Sequence, residues 1–148
     1  MVPETRTEDT ADRAGRRFSI LVTDDDRGSR EALAGLLAEQ GFETRQAASG
    51  EEAIEIVQVE IIHLAFFDMH MPRMTGLEAL QQVRMINDLL PAILVTADTT
   101  RELIRQAFQA QVFSVIPKPI NKNVVLHTLT RALNRVYHDE PGNRPPLS

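Results

Sequence analysis

Three aspartates stand in a row at Asp24, Asp25 and Asp26, directly after the apolar run Ile20-Leu21-Val22 and Thr23. A fourth, Asp68, closes the run HLAFF over 63–67. Thr96 ends AILVT over 92–96, and Lys118 follows VFSVI over 112–116, held between Pro117 and Pro119. If these segments end side by side, they gather several carboxylates, a hydroxyl and an ammonium. Two carboxylates about 4 Å apart repel by roughly 4 kcal/mol at an effective dielectric near 20, so the cluster calls for a counter-charge. A hard divalent cation with oxygen ligands supplies one, and Mg²⁺ suits a few carboxylates with waters and a phosphate. Lys118 adds a positive point charge and Thr96 a hydroxyl, both suited to phosphoryl oxygens. The chemistry is phosphoryl transfer, with a carboxylate as the candidate nucleophile. Taken singly, each feature has a plainer explanation: a solvated turn for the aspartate run and for Lys118, a strand residue for Thr96. Their coincidence at four strand ends is what carries the argument.

The elements that must position them alternate. FSILVT (18–23), FETRQA (42–47), HLAFF (63–67), AILVT (92–96) and VFSVI (112–116) are short and apolar or β-prone. All but FETRQA are nearly continuous in apolar character, as parallel strands covered on both faces require. Between them lie segments of helical spacing. Over 28–40, Leu33, Leu36 and Leu37 share a face, with Gly41 placed to end the helix. Ser49-x-x-Glu52, Thr75-x-x-Glu78 and Thr99-x-x-Glu102 each fit a capping box. Asn121 is placed to cap a last helix striped by Val125, Leu129, Ala132, Leu133 and Val136. Five βα units predict an α/β fold, a flavodoxin-like (βα)5 doubly wound parallel sheet with strand order 2-1-3-4-5. In that order the functional crevice lies beyond the carboxyl ends of strands 1 and 3.

Composition sets the bounds. A chain of 148 residues with 43% hydrophobic and 25% charged residues is that of one soluble globular domain with tails. It is not that of a collagen, a disordered chain or a membrane protein, and no run approaches the roughly 18 apolar residues of a spanning helix. The absence of cysteine excludes disulfides, thiolate zinc sites and a Cys nucleophile. A net charge of −5 argues against a broad nucleic-acid surface, so no direct nucleic-acid partner is expected. No signal-peptide apolar region opens the chain, and the run after Arg16-Arg17 stops at three aspartates, so a cytoplasmic protein is expected. Residues 1–17 read as a disordered arm and 138–148, with three prolines and a glycine, as a flexible tail, leaving 18–137 as the domain.

With these residues in view, the sequence resembles the receiver domains of two-component response regulators, the CheY-like superfamily. The segment ILVTDDD, the D-x-x-M-P-x-M-x-G run from Asp68 to Gly76, the segment ILVTAD and the pair Lys118-Pro119 occur in that family's order and spacing, and the likeness covers the whole core. The resemblance implies that Asp68 is the phosphoacceptor, phosphorylated by a sensor histidine kinase, a phosphotransfer protein or a small phosphodonor. It implies Mg²⁺ held by Asp25 and Asp68, by Asp24 through water and by the backbone carbonyl of His70, with Asp26 outside the pocket. Thr96 would hydrogen-bond the phosphoryl group, Lys118 would pair with it, and Ala97 would leave it room. The Lys118-Pro119 bond would be cis. The chain would be a signalling phosphoacceptor within a phosphorelay rather than an enzyme. Its output would be binding to a downstream protein, or homodimerisation through the face of the fourth helix, fifth strand and fifth helix. With only 11 residues after the last helix, a stand-alone receiver is expected.

Five positions depart from the family's commonest form or bear on it. Val115 stands where an aromatic gate is usual, Pro117 removes an N–H before the lysine, Gln111 replaces a helix-ending glycine, and His70 and Asp98 occupy places that tune dephosphorylation. A proline at 117 is tolerable if its strand lies at an edge. Competing functions are a phosphorylation-independent interaction module, an aspartyl phosphatase of the haloacid-dehalogenase type and a flavin-binding protein. The phosphatase wants a second Asp where His70 stands, and the flavoprotein a phosphate-cradling glycine loop that is missing. His63 reads as a satisfied core histidine, and Met69, Met71 and Met74 as loop packing.

Overall fold

The computed structural model describes residues 17–137, so the arm expected over 1–17, apart from Arg17, and the tail expected over 138–148 lie outside the described residues. Five strands, β1 (Ser19–Thr23), β2 (Glu43–Ala47), β3 (Leu64–Asp68), β4 (Ala92–Thr96) and β5 (Ser114–Pro117), form one parallel sheet in the order β2-β1-β3-β4-β5. The helices are α1 (Arg27–Glu39), α2 (Gly50–Val59), α3 (Gly76–Ile86), α4 (Arg101–Gln109) and α5 (Lys122–Tyr137). The expected doubly wound architecture is present.

Side chains alternate across each strand, so the sheet builds two cores. Ile20, Val22, Phe66, Ile93 and Val95 pack against Leu33 and Leu37 of α1 and Val125 and Leu129 of α5. Leu21, Phe67 and Leu94 pack on the other face against α2, α3 and α4. β1, β3 and β4 are buried throughout, which explains their unbroken apolar runs. β2 is an edge strand whose outer positions are exposed, which is why Glu43, Arg45 and Gln46 are tolerated in it. β5 is the other edge, and Pro117 sits opposite Thr96 at its end, where a missing N–H leaves no ladder bond unmade.

Most helix ends follow the predicted chemistry. The Ser49 hydroxyl accepts from Glu52 N at 3.1 Å, Thr75 and Glu78 form a complete capping box, and Asn121 Oδ1 accepts from Val124 N at 3.1 Å. Gly41, at φ 96°, follows α1 in the left-handed region, as its position predicted. Two expectations are corrected. The α4 cap is Thr100, not Thr99: Asp98 Oδ1 accepts from Thr100 N at 3.2 Å, and this local turn moves the helix start on by one residue. Glu102 is therefore not the partner of a box and bonds Arg105 at 2.7 Å instead. The fifth strand begins at Ser114 rather than 112, because Val112 N still bonds Ala107 O at 3.2 Å in closing α4.

That closure explains Gln111. It takes φ 59°, the left-handed conformation that usually selects glycine. The Arg84 guanidinium holds the corner from α3, donating to the carbonyls of Ala110, Gln111 at 2.8 Å and Leu90 at 3.4 Å. Burial alone pushes the Arg84 pKa below its ordinary value. A charged tether from a neighbouring helix thus stands in for the missing glycine.

Candidate functional site

The carboxyl ends of β1 and β3 adjoin at the centre of the sheet, and their last residues meet there. Asp24, immediately after β1, is buried; its N–H donates to Ala47 O at 3.0 Å and its carbonyl accepts from Arg30 at 2.9 Å. Asp68 ends β3 and is only 7% exposed. Carboxylate oxygens of Asp24, exposed Asp25 and Asp68 all lie within 4.8 Å of one another. Lys118 reaches over from the end of β5, with Nζ at 3.0 Å from Asp24 Oδ2 and 3.2 Å from Asp68 Oδ1. The structure thus brings together Asp24, Asp25, Asp68 and Lys118.

The electrostatics follow from that packing. Burial, and next the charge of Asp24, push the Asp68 pKa above the ordinary carboxylate value, against the opposing pull of Lys118. Burial alone would lower Lys118, but its hydrogen bond to Asp24 and the charges of Asp68 and Asp24 raise it. One ammonium thus faces three carboxylates, and the pocket is short of positive charge.

Asp26 is outside the cluster, as expected: its carboxylate caps α1, accepting from Ser29 N at 2.8 Å, and this bond holds its pKa low. Thr96 is fully buried at the end of β4, and its Oγ1 accepts from Asp98 N at 2.9 Å, which leaves its own O–H to donate. Ala97 helps to line a cavity of about 460 Å³ that opens beside Asp24, Asp68 and Lys118. The Lys118-Pro119 bond is cis. His70 Nε2 lies 3.5 Å from Asp98 Oδ2, joining the loops after β3 and β4. Val115 is half-buried against the core on the α4 face.

Residues beyond those singled out by the sequence also shape the site. Arg30 fixes the Asp24 carbonyl, and only its place one turn after Asp26 hints at this. Gly76 belongs to the run that begins at Asp68, and the structure gives its physical role. A Cβ there would meet the Asp68 carbonyl oxygen at 2.4 Å, so only glycine lets α3 start this close to the end of β3. His63, read as a core histidine, is one: its Nδ1 accepts from Ser19 N at 2.9 Å.

Residues 20–130 match the sequence model of the response regulator receiver domain. The chain belongs to this family. Among curated proteins this receiver is 33% identical over 130 residues to a response regulator, MprA, of a Mycobacterium species, covering 87% of this chain and 56% of that protein. It is 31% identical over 122 residues to a cyclic di-GMP phosphodiesterase of Thermotoga maritima, covering 82% of this chain and 33% of that one. The chain therefore spans between a third and a little over half of these relatives. Solved structures agree on the fold. A CheY-like receiver domain protein of Methanospirillum hungatei superposes with TM-score 0.79 at 26% identity, over 84% of this chain and 99% of that one. The chemotaxis protein CheY4 of Vibrio cholerae gives 0.76 at 29% identity, over 79% and 99%. Among the described residues, no helix is long and apolar enough to cross a membrane.

Proposed function

We propose that this receiver accepts a phosphoryl group on Asp68 from a sensor histidine kinase or phosphotransfer protein, in a Mg²⁺-dependent reaction in the cytoplasm, and signals through protein–protein binding. The observation that carries this is a buried carboxylate, Asp68, placed within 4.8 Å of two others and 3.2 Å from a lysine ammonium.

The donor set fits Mg²⁺. All candidate ligand atoms are oxygens, and a single Lys118 leaves the three carboxylates uncompensated. Asp25, Asp68 and the His70 carbonyl would hold the ion directly and Asp24 through water. Bound there, Mg²⁺ would supply positive charge to the transferring oxygens. The chain's own groups do the rest. An Asp68 carboxylate oxygen attacks phosphorus of the donor phosphohistidine; the P–O bond forms as the P–N bond breaks, and the imidazole departs with the electron pair. Lys118 stays within reach of the new acyl phosphate and balances its charge. The buried Thr96 O–H is available to a phosphoryl oxygen, and Ala97 leaves space above the acceptor.

The test is intact-protein mass spectrometry after incubation with Mg²⁺ and acetyl phosphate. One phosphoryl adduct, abolished by Asp68→Asn and by EDTA, is the expected result. Absence of both an adduct and Mg²⁺ binding would overturn the reading and leave a scaffold that keeps the fold without the switch.

A further inference from the structure

Among the described residues, Arg73 and Gln111 are the two that lie at positive φ without being glycine. Gln111 is held by Arg84, while Arg73 sits in the loop over 69–75 that carries the His70 carbonyl. Its φ is 68°, and Met74 N donates to Pro72 O at 2.7 Å across it. A hydrogen bond that spans one residue at that φ closes a γ-turn of the rare, strained kind. A non-glycine residue keeps this conformation only where its surroundings enforce it.

The first turn of α2 is what surrounds it. Arg73 Nε lies 3.5 Å from Glu51 Oε2. Met74 rests on the preceding residue of that turn: a Cβ on Gly50 would meet Met74 Sδ at 2.6 Å, which shows how closely the two sit. The turn is fixed in its own right. The Ser49 hydroxyl accepts from Glu52 N at 3.1 Å, and the Glu52 carboxylate accepts from Ala48 N at 2.6 Å. Just ahead, Ala47 O accepts from Asp24 N at 3.0 Å. Segment 47–51 thus touches both parts of the carboxylate cluster, the backbone of Asp24 on one side and the loop that follows Asp68 on the other. An exposed ion pair adds little to global stability. Here it closes on a strained turn next to the loop's candidate metal ligand, so its effect is local.

We propose that Glu51 and Arg73 are positioning residues: their ion pair clamps the γ-turn and so fixes the loop that offers the His70 carbonyl to Mg²⁺. Neither side chain is part of the carboxylate cluster, and both act through the loop. The inference rests on the Mg²⁺ site proposed above. Its sign separates it from plain electrostatics. By charge alone, removing the Arg73 cation favours Mg²⁺ nearby, whereas loosening the loop disfavours it. Glycine takes φ 68° without strain, so Arg73→Gly removes the need for Glu51.

The experiment titrates the full chain with MgCl₂ alone, reading Kd from amide chemical shifts by NMR, and measures hydrogen exchange at the Met74 N–H in EDTA. Arg73→Gln and Glu51→Gln lie at exposed positions, and circular dichroism verifies their folding. Each should raise the Kd about three- to fivefold and speed Met74 exchange by a similar factor. Arg73→Gly should stay within about twofold of wild type, and Glu51→Gln added to it should again change the Kd by no more than about twofold. Arg73→Gln that binds Mg²⁺ as tightly as wild type, or more tightly, overturns the proposal. So does Glu51→Gln weakening binding equally in both backgrounds, the mark of a distant charge. The two readings fail in different ways. A wild type without Mg²⁺ shifts sinks the metal site and the clamp's role with it. Mg²⁺ binding by wild type, with Met74 exchange unchanged in both single variants, sinks the clamp alone.

Discussion

Asp68 holds a charge at a position that disfavours it. The carboxylate is buried, lies beside Asp24 and Asp25, and shares one lysine with Asp24, so its charged form is destabilised when no cation is bound. Sites arranged this way trade stability for reactivity. Asp68→Asn should therefore abolish the phosphoryl adduct and raise the melting temperature in EDTA by a few degrees, on the order of 1 kcal/mol. A lower Tm would show that the carboxylate is a net stabiliser and that Lys118 compensates it fully. Gly76 makes the opposite case. Its substitution by Ala drives a Cβ into the Asp68 carbonyl, and backbone on both sides must shift. We expect a loss of about 2–4 kcal/mol by denaturant titration, together with slower adduct formation. Gly35→Ala is the control: nothing lies within 4 Å of its added Cβ on α1, so helix propensity should stabilise the protein by about 0.5–1 kcal/mol.

At the scale of elements, the α4–β5 corner shows how a departure in sequence is absorbed. Gln111 in the left-handed region costs roughly 1 kcal/mol that glycine would avoid. Gln111→Gly should therefore gain about 0.5–1 kcal/mol, less the added freedom of the unfolded chain. Arg84→Met should lose about 2–3 kcal/mol by stranding the carbonyls of Ala110 and Gln111. If Arg84→Met proves neutral in urea titration, the tether is ornamental. The same corner marks where the sequence could and could not be read. β1, β3 and β4 were legible because burial on both faces leaves an unbroken apolar run. The carboxylate cluster was legible because aspartates follow β1 and end β3, and the strand order brings those ends together. Thr99 and Thr100 were not distinguishable as caps, since the choice falls to a turn made by Asp98. The start of β5 is set by Phe113 N bonding Ala92 O at 2.7 Å, a contact with another strand. Arg84 bonds carbonyls far from it along the chain, so no local pattern announces it.

For the whole molecule, the carboxylate cluster beyond β1 and β3 should, on the proposed function, tie stability to pH and to metal together. The folded pKa of Asp68 is raised above the ordinary carboxylate value near 3.8. The folded state thus binds this proton more tightly than the unfolded state, and the stability it confers is lost as pH rises through the folded pKa. Lys118, also raised, works at the other end: its contribution is complete below about 10.5 and is lost as pH climbs from there through its folded pKa, so it is flat near neutrality. Asp26, Glu51 and Glu102 have lowered pKa values from their local hydrogen bonds, and what they contribute fades only as pH falls below the usual carboxylate range. Measuring wild type against Asp68→Asn cancels these other groups. In EDTA the variant's advantage in Tm should be largest above the raised folded pKa of Asp68 and shrink as pH falls through it toward 3.8, because protonation then neutralises the wild-type carboxylate as the mutation does. Mg²⁺ should act in the same sense at pH 7, adding about 1.4 kcal/mol to wild type at ten times its Kd and less to the variant. An advantage that holds constant with pH, or grows on acidification, would mean that Asp68 is not the group whose charge the fold resists. Equal Mg²⁺ stabilisation of both proteins would place the ion elsewhere and take the switch mechanism with it.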